Sequence, residues 1–328
     1  MSTDTTNPRV IEINRIFLNN NPIDYVADEG LIKAVEIAIA LGKPLLISGE
    51  PGTGKTKLAD YVAAQLYLQT KNDAIKFVEN PLVFNTKSTS VAADLFYFYD
   101  AVSHFRSQQA NLTTDQFIEL KPMGIAIAQT HGFGCETLQG ISNIGNYNEK
   151  NILREPASSV VLIDEIDKAS REFPNDLLNE MENYEFEIRE MNQRIKRSAN
   201  DCRIIVIMTS NSEKNLPNAF LRRCVFYHID FPDKEKLLKI ARKRLIINNT
   251  EYDALIEQAI DEFNLIRSRV VNKKPSTSEF LDWINLLQEF KLLKHTTFSP
   301  DAKNMIYEAT KSVLVKSYDD QQLMNSKT

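Results

Sequence analysis

The stretch Gly49-Glu50-Pro51-Gly52-Thr53-Gly54-Lys55-Thr56 constrains this chain more than any other. It follows an apolar run, Pro44-Leu45-Leu46-Ile47-Ser48, and leads into Lys57 to Leu66, where apolar residues recur at helical spacing. Strand, glycine loop and helix in that order are the setting in which G-x-x-x-x-G-K-[ST] cradles a phosphate, because loop amides and the helix N-terminus converge on one anion. Gly49, Gly52 and Gly54 let the backbone bend and approach that anion with no Cβ in the way. Lys55 can reach β- and γ-phosphates, and the Thr56 hydroxyl can hold Mg²⁺. Glu50, Pro51 and Thr53 complete the loop.

A second stretch, Ser159 to Ala169, has the complementary chemistry. Val160 to Ile163 reads as a buried strand that delivers Asp164 and Glu165 at its carboxyl end, where parallel α/β sheets bind their ligands. The first acid would orient Mg²⁺ and the second would polarise an attacking water. Far more chain separates Lys55 from Asp164 than the ~30 residues of one βαβ unit, so additional elements must lie between them.

With 328 residues, the chain has room for two domains. Charged residues at 25% and hydrophobic ones at 43% fit an ordinary soluble protein. A net charge of −5 disfavours nucleic acid as a dedicated partner. The first residues carry no signal-peptide pattern, and no apolar run approaches the length of a membrane span. Three cysteines, without any C-x-x-C, suit a reducing compartment, so a cytoplasmic location is the expectation. His131 and Cys135 lie close together but lack a second pair of ligands for a metal.

Along the chain we expect a strand or turn near Val10-Ile13, a helix from about Asp28, and a second strand at Ile75-Lys76-Phe77-Val78. Val91 to Phe105 reads as a helix apolar on several sides, and Thr113-x-x-Gln116 as the capping box of another. Gly132, Gly134, Gly140 and Gly145 mark loops. A helix from Pro174 to Glu182 precedes a hairpin between Tyr184 and Arg197, whose far arm is basic. That arm is either a solvated face or a surface that meets a partner.

Arg203 to Thr209 is a further buried strand, ending in Thr209-Ser210-Asn211. Asn211 would lie beside the two acids if the strands are neighbours. A short helix from Leu216 ends at Arg222 and Arg223, where a favourable macrodipole is reason enough for two cations; Val225 to Ile229 is the last strand. From Asp233 onward the pattern is helical throughout, with Ser276-x-x-Glu279 capping one helix and Ser299-Pro300 opening another. Phosphate-loop proteins of this build wrap the base with the segment before the first strand. Ile23, Tyr25 and Val26 are therefore candidates for an adenine wall, with simple core contacts as the alternative for Tyr25 and Val26.

Together these stretches resemble an AAA+ ATPase, and within that superfamily the MoxR-type group, over about Asn20 to Tyr318. The resemblance rests on residues 49–56, the stretch ending at Ala169, the hairpin near 186–196 and the helical tail. It implies an α/β/α P-loop sandwich with a parallel sheet over residues 1–232, carrying helices inserted after the second strand, then a smaller helical lid over residues 233–328. It implies ATP and Mg²⁺ as cofactors, with Lys55 and Thr56 as the Walker A pair, Asp164 and Glu165 as the Walker B pair, and Asn211 as the first sensor. Arg222 or Arg223, the latter preferred, matches an arginine finger acting on a neighbouring subunit, so a homo-oligomer, by analogy a hexamer, is expected. Where many relatives carry a second-sensor arginine this chain has Lys273 and Lys274, point charges without arginine's planar fork. The group's habit of working with a von Willebrand factor A domain protein implies a protein client. A nucleic-acid motor and a nucleotide-gated scaffold are the competing functions.

Overall fold

A computed structural model describes residues 21–106, 112–133, 143–145, 147–148, 151–199, 201–211, 216–244, 253–289 and 310–325. The strand or turn expected near Val10–Ile13, the helix expected from Ser299-Pro300, and Cys135, Gly134 and Gly140 lie outside these residues. The chain divides into two compact units, one over Asn21–Asp233 and one from Lys234 onward.

The first unit is built on a five-stranded sheet. Its strands are β1 (Leu45–Gly49), β2 (Leu82–Asn85), β5 (Ser159–Asp164), β8 (Ile204–Ser210) and β9 (Val225–Ile229), in the order β2-β5-β8-β1-β9. All neighbours pair in parallel. Every residue of β1 and β8 is buried, as expected where helices cover both faces of a parallel sheet and the strands become continuous apolar runs.

Strand alternation then assigns each side chain to one of two cores. Leu45, Ile47, Val160, Leu162, Ile205 and Ile207 pack with Leu31, Ala38, Leu58 and Val62 of the helices α1 (Glu29–Leu41) and α2 (Lys55–Thr70). Leu46, Val161, Ile163, Val206 and Met208 pack on the other face, with α4 (Pro122–Gln129) and α5 (Phe173–Asn183). The α/β/α sandwich thus follows from period-2 burial in the strands and apolar faces on both layers of helix. Asp28 caps α1 by accepting from the Leu31 amide at 2.7 Å.

The segment between β2 and β5 differs from expectation. The second strand is Leu82–Asn85; Ile75–Val78 contributes only a bridge from Phe77 to Ser158. Val91–Phe105 is not one helix. It holds a 3₁₀ turn at Ala92–Leu95, the strand β3 (Tyr97–Tyr99) and the short helix α3 (Ala101–Arg106). The aromatic run through Tyr97-Phe98-Tyr99 suits a pleated surface better than a helix. Thr113 precedes a 3₁₀ turn, Thr114–Phe117, with no side-chain cap, and β4 (Ile118–Leu120) follows and pairs antiparallel with β3. The insertion is a two-stranded ribbon carried on α4, whose residues are all buried.

The expected hairpin forms from β6 (Glu185–Ile188) and β7 (Gln193–Lys196), joined by a turn in which Asn192 is left-handed at φ 49°. Phe186, Ile188 and Ile195 face the core, with the Phe186 ring 5.4 Å from Phe96. On the outer face Arg194 lies 4.0 Å from both Glu185 and Glu187, and Lys196 lies 3.9 Å from Glu185. The basic arm is therefore matched by acids on the strand beside it.

The second unit holds α7 (Lys234–Arg244), α8 (Asp253–Arg269), α9 (Thr277–Glu289) and α10 (Tyr318–Asn325). The Ser276/Glu279 capping box is realised: the Ser276 amide donates to Glu279 at 2.8 Å, and the Glu279 amide to Ser276 Oγ at 3.4 Å. Phe280, Trp283, Ile284 and Leu287 are buried along one face of α9, and the Trp283 indole donates to Thr310 at 2.9 Å. Among the described residues no helix is long and apolar enough to cross a membrane.

Candidate functional site

Parallel register brings the site together. β5 and β8 pair Ile163 with Met208, and β8 and β1 pair Met208 with Leu46 and Ser210 with Ser48. Asp164, one residue past Ile163, therefore lies level with Thr209, and Asn211 lies level with the glycine that opens the loop. The carboxyl ends of three adjacent strands meet at the N-terminus of α2.

The loop is shaped by close approach. A Cβ on Gly49 would sit 2.6 Å from the Ile229 carbonyl, and Gly52 and Gly54 have φ of 74° and 89°, in the region that L side chains rarely adopt. Thr53 Oγ1 donates to the Glu50 carbonyl at 2.9 Å, bracing the turn. The buried Lys55 ammonium donates to the Gly49 and Glu50 carbonyls at 2.8 Å each. Burial holds its pKa below the ordinary lysine range, with Asp164, Asp167, Glu165 and Glu50 pulling the other way.

Thr56 Oγ1 donates to Asp164, 3.0 Å from one carboxylate oxygen and 3.2 Å from the other. Asp164 also accepts from Thr209 Oγ1 at 2.6 Å, and Thr209 Oγ1 accepts from the Glu165 amide at 2.8 Å. Glu165 is left-handed at φ 54°, an uncommon conformation for a residue with a side chain and one that clusters at functional sites. Its carboxylate accepts from Asn211 Nδ2 at 2.9 Å and meets the Lys168 ammonium. The Asn211 amide in turn donates to Asp167 at 3.4 Å. An unbroken chain of contacts thus runs from the glycine loop through both acids to Asn211.

Thr209, Asp167 and Lys168 were not singled out from sequence. A polar strand tip was visible, but only the adjacency of β8 and β5 shows that Thr209 reaches both acids. Tyr25 lies against the loop, its ring 3.2 Å from where a Gly54 Cβ would be and its centroid 5.6 Å from that of Tyr61. Tyr25 and Val26 are each half-buried, and Tyr25 flanks the turn that leads into α2.

Arg222 and Arg223 are exposed, just after α6 (Asn218–Leu221), and Arg223 Nε lies 3.0 Å from Glu182. They immediately precede β9, whose Val225 pairs with Leu45, while Ile229 pairs with Gly49. The arginines are thus at the amino end of the sheet, a full strand length of ~15 Å from the loop. Lys273 and Lys274 are exposed on the approach to α9, within the helical unit.

The donor set suits a magnesium-bound phosphate. Among the described residues no three His, Cys, Asp or Glu side chains gather as a metal site, and the Thr56 hydroxyl with the Asp164 carboxylate offers hard oxygens only. Mg²⁺ is commonly held in this way, by one or two protein oxygens, waters and the substrate's phosphates.

A search of curated proteins gives no match. The fold is similar to that of a RuvB variant from Thermotoga maritima, with 15% identity, 93% of this chain and 72% of that one covered, and a TM-score of 0.43. A putative ATPase from Cytophaga hutchinsonii aligns at 14% identity over 94% and 91% of the two chains, with a TM-score of 0.40. The FIGL-1 AAA domain in complex with ADP aligns at 17% identity over 95% and 90%, with a TM-score of 0.44. A family model, the ATPase family associated with various cellular activities (AAA), matches residues 45–232. That match takes in more than half of the chain and spans the glycine loop, both acids and Asn211, so the protein belongs to the AAA family of ATPases.

Proposed function

We propose that the chain hydrolyses ATP with Mg²⁺ and couples the reaction to remodelling of a partner protein, as an oligomer of MoxR type. The observation that carries this reading is the continuous contact from Thr56 through Asp164, Thr209 and Glu165 to Asn211. Bound Mg-ATP would supply the electrophilic phosphorus and the divalent charge. The loop amides and Lys55 bind its phosphates; Thr56 and Asp164 hold the metal, with Thr209 fixing the Asp164 carboxylate. Glu165 orients a water and takes its proton, and Asn211 holds the Glu165 carboxylate in place.

Support for the MoxR type is the ribbon and helices inserted between β2 and β5, with the β6–β7 hairpin. A hexamer and a von Willebrand factor A domain partner belong to this reading by analogy, and Arg223 is its candidate for completing a neighbour's site. A nucleic-acid motor has less support, because Arg194 and Lys196 of the hairpin already face Glu185 and Glu187.

Glu165→Gln tests the reading. It keeps the size of the side chain and its contact with Asn211 but removes the proton acceptor. Nucleotide binding should persist while turnover falls by about 10²–10⁴-fold, the usual share of general base catalysis. Turnover at the unsubstituted rate would remove Glu165 from its role.

A further inference from the structure

The segment after the second acid is a 3₁₀ turn, Ile166–Lys168, closed by the Lys168 amide donating to the Glu165 carbonyl at 2.9 Å. Side chains three residues apart eclipse one another in this geometry, so the Lys168 ammonium comes over Glu165. Both carboxylate oxygens are engaged in consequence. Oε1 accepts from Asn211 on the neighbouring strand, and Oε2 meets Lys168 on Glu165's own turn. These partners differ in kind. The amide arrives from across the sheet and leaves the carboxylate free to pivot about one oxygen. The ammonium belongs to the same short turn as the acid and takes up the second oxygen.

We propose that Lys168 is a built-in restraint on Glu165, an ion pair within one turn that keeps a carboxylate oxygen from being presented to a water. The proposal rests on the reading of Glu165 given above. A carboxylate that is to orient a water must offer it an oxygen, and here Oε2 is taken by Lys168. The pair is also weak enough to open in every cycle: the Lys168 and Glu165 side chains are 41% and 34% exposed, and part-exposed pairs of this kind change an equilibrium by only about two- to fivefold. Lys168 is thus a positioning residue that sets the fraction of time for which Glu165 is available.

Two measurements test this. In nucleotide-free protein, urea midpoints for Lys168→Met, Glu165→Gln and the double variant form a cycle; the expected result is non-additivity, the second substitution costing less once the first is made. In steady-state turnover, Lys168→Met should raise kcat about two- to fivefold with KM unchanged, and Lys168→Arg should keep the restraint. A lysine serving only to hold the turn would lower kcat when removed. Additive midpoints, or a Lys168→Met protein no faster than the parent, overturn the restraint and leave the hydrolytic reading standing. Normal turnover by Glu165→Gln alone overturns that reading and the restraint with it.

Discussion

A single hydroxyl, that of Thr209, ties the two acids at the tip of β5 to the neighbouring strand, donating to Asp164 and accepting from the Glu165 amide. Thr209→Val keeps the shape and removes both bonds. Leaving the Glu165 amide and an Asp164 oxygen without this partner should cost about 1–3 kcal/mol by urea denaturation. Turnover should fall as far as ~10²-fold, as expected for misplaced catalytic groups, while nucleotide binding is largely kept. Lys55 carries a pH signature. Its folded pKa lies below the ordinary lysine value through burial, so between that value and about 10.4 the unfolded chain binds more protons and stability rises with pH. Lys55→Met should flatten this rise in a series of urea midpoints from neutral pH upward. The residues of the loop and the acid pair were legible because local order, strand then glycine then helix, is itself the signal. Thr209 was not, because its role depends on which strand lies beside which, and no local pattern carries strand order.

At the scale of elements, the buried strands were readable wherever apolar runs were uninterrupted, as in β1, β5 and β8. β2 was not. Ile75–Val78 meets the residue just ahead of β5 through one bridge, Phe77 to Ser158, whereas Leu82–Asn85 forms a ladder with β5. The choice between two short apolar stretches is made by the register of the partner strand. The insertion was misread for a related reason: Tyr97-Phe98-Tyr99 pairs with Ile118–Leu120, far away in sequence. What fixes this ribbon to its support is Gly124 in α4, where a Cβ would lie 1.9 Å from the Phe96 carbonyl oxygen. Gly124→Ala should therefore cost at least ~3 kcal/mol in a urea titration, since backbone rather than a mobile side chain must give way. Gly42 makes the contrast. Its φ is 60° with nothing within 4 Å of an added Cβ, so Gly42→Ala should cost only the ~1 kcal/mol of a left-handed alanine.

On the scale of the whole molecule, the separation of Arg222 and Arg223 from the loop is the feature with the widest reach. Each chain has its phosphate loop at one end of β1 and its arginines at the other. Arg223 therefore cannot serve its own loop, and the oligomeric reading requires it to serve another's. Arg223→Ala should leave nucleotide affinity near that of the parent and reduce turnover by about 10³-fold or more, the range for arginines of this kind. Parent turnover per chain should rise with protein concentration. Replacing Arg223 also removes its contact with Glu182, but an exposed pair contributes too little to stability to mimic such a loss. Heredity would feel the same geometry. On the oligomeric reading, a defective copy that still assembles would silence the sound copy beside it, so a damaged allele would behave as dominant over an intact one.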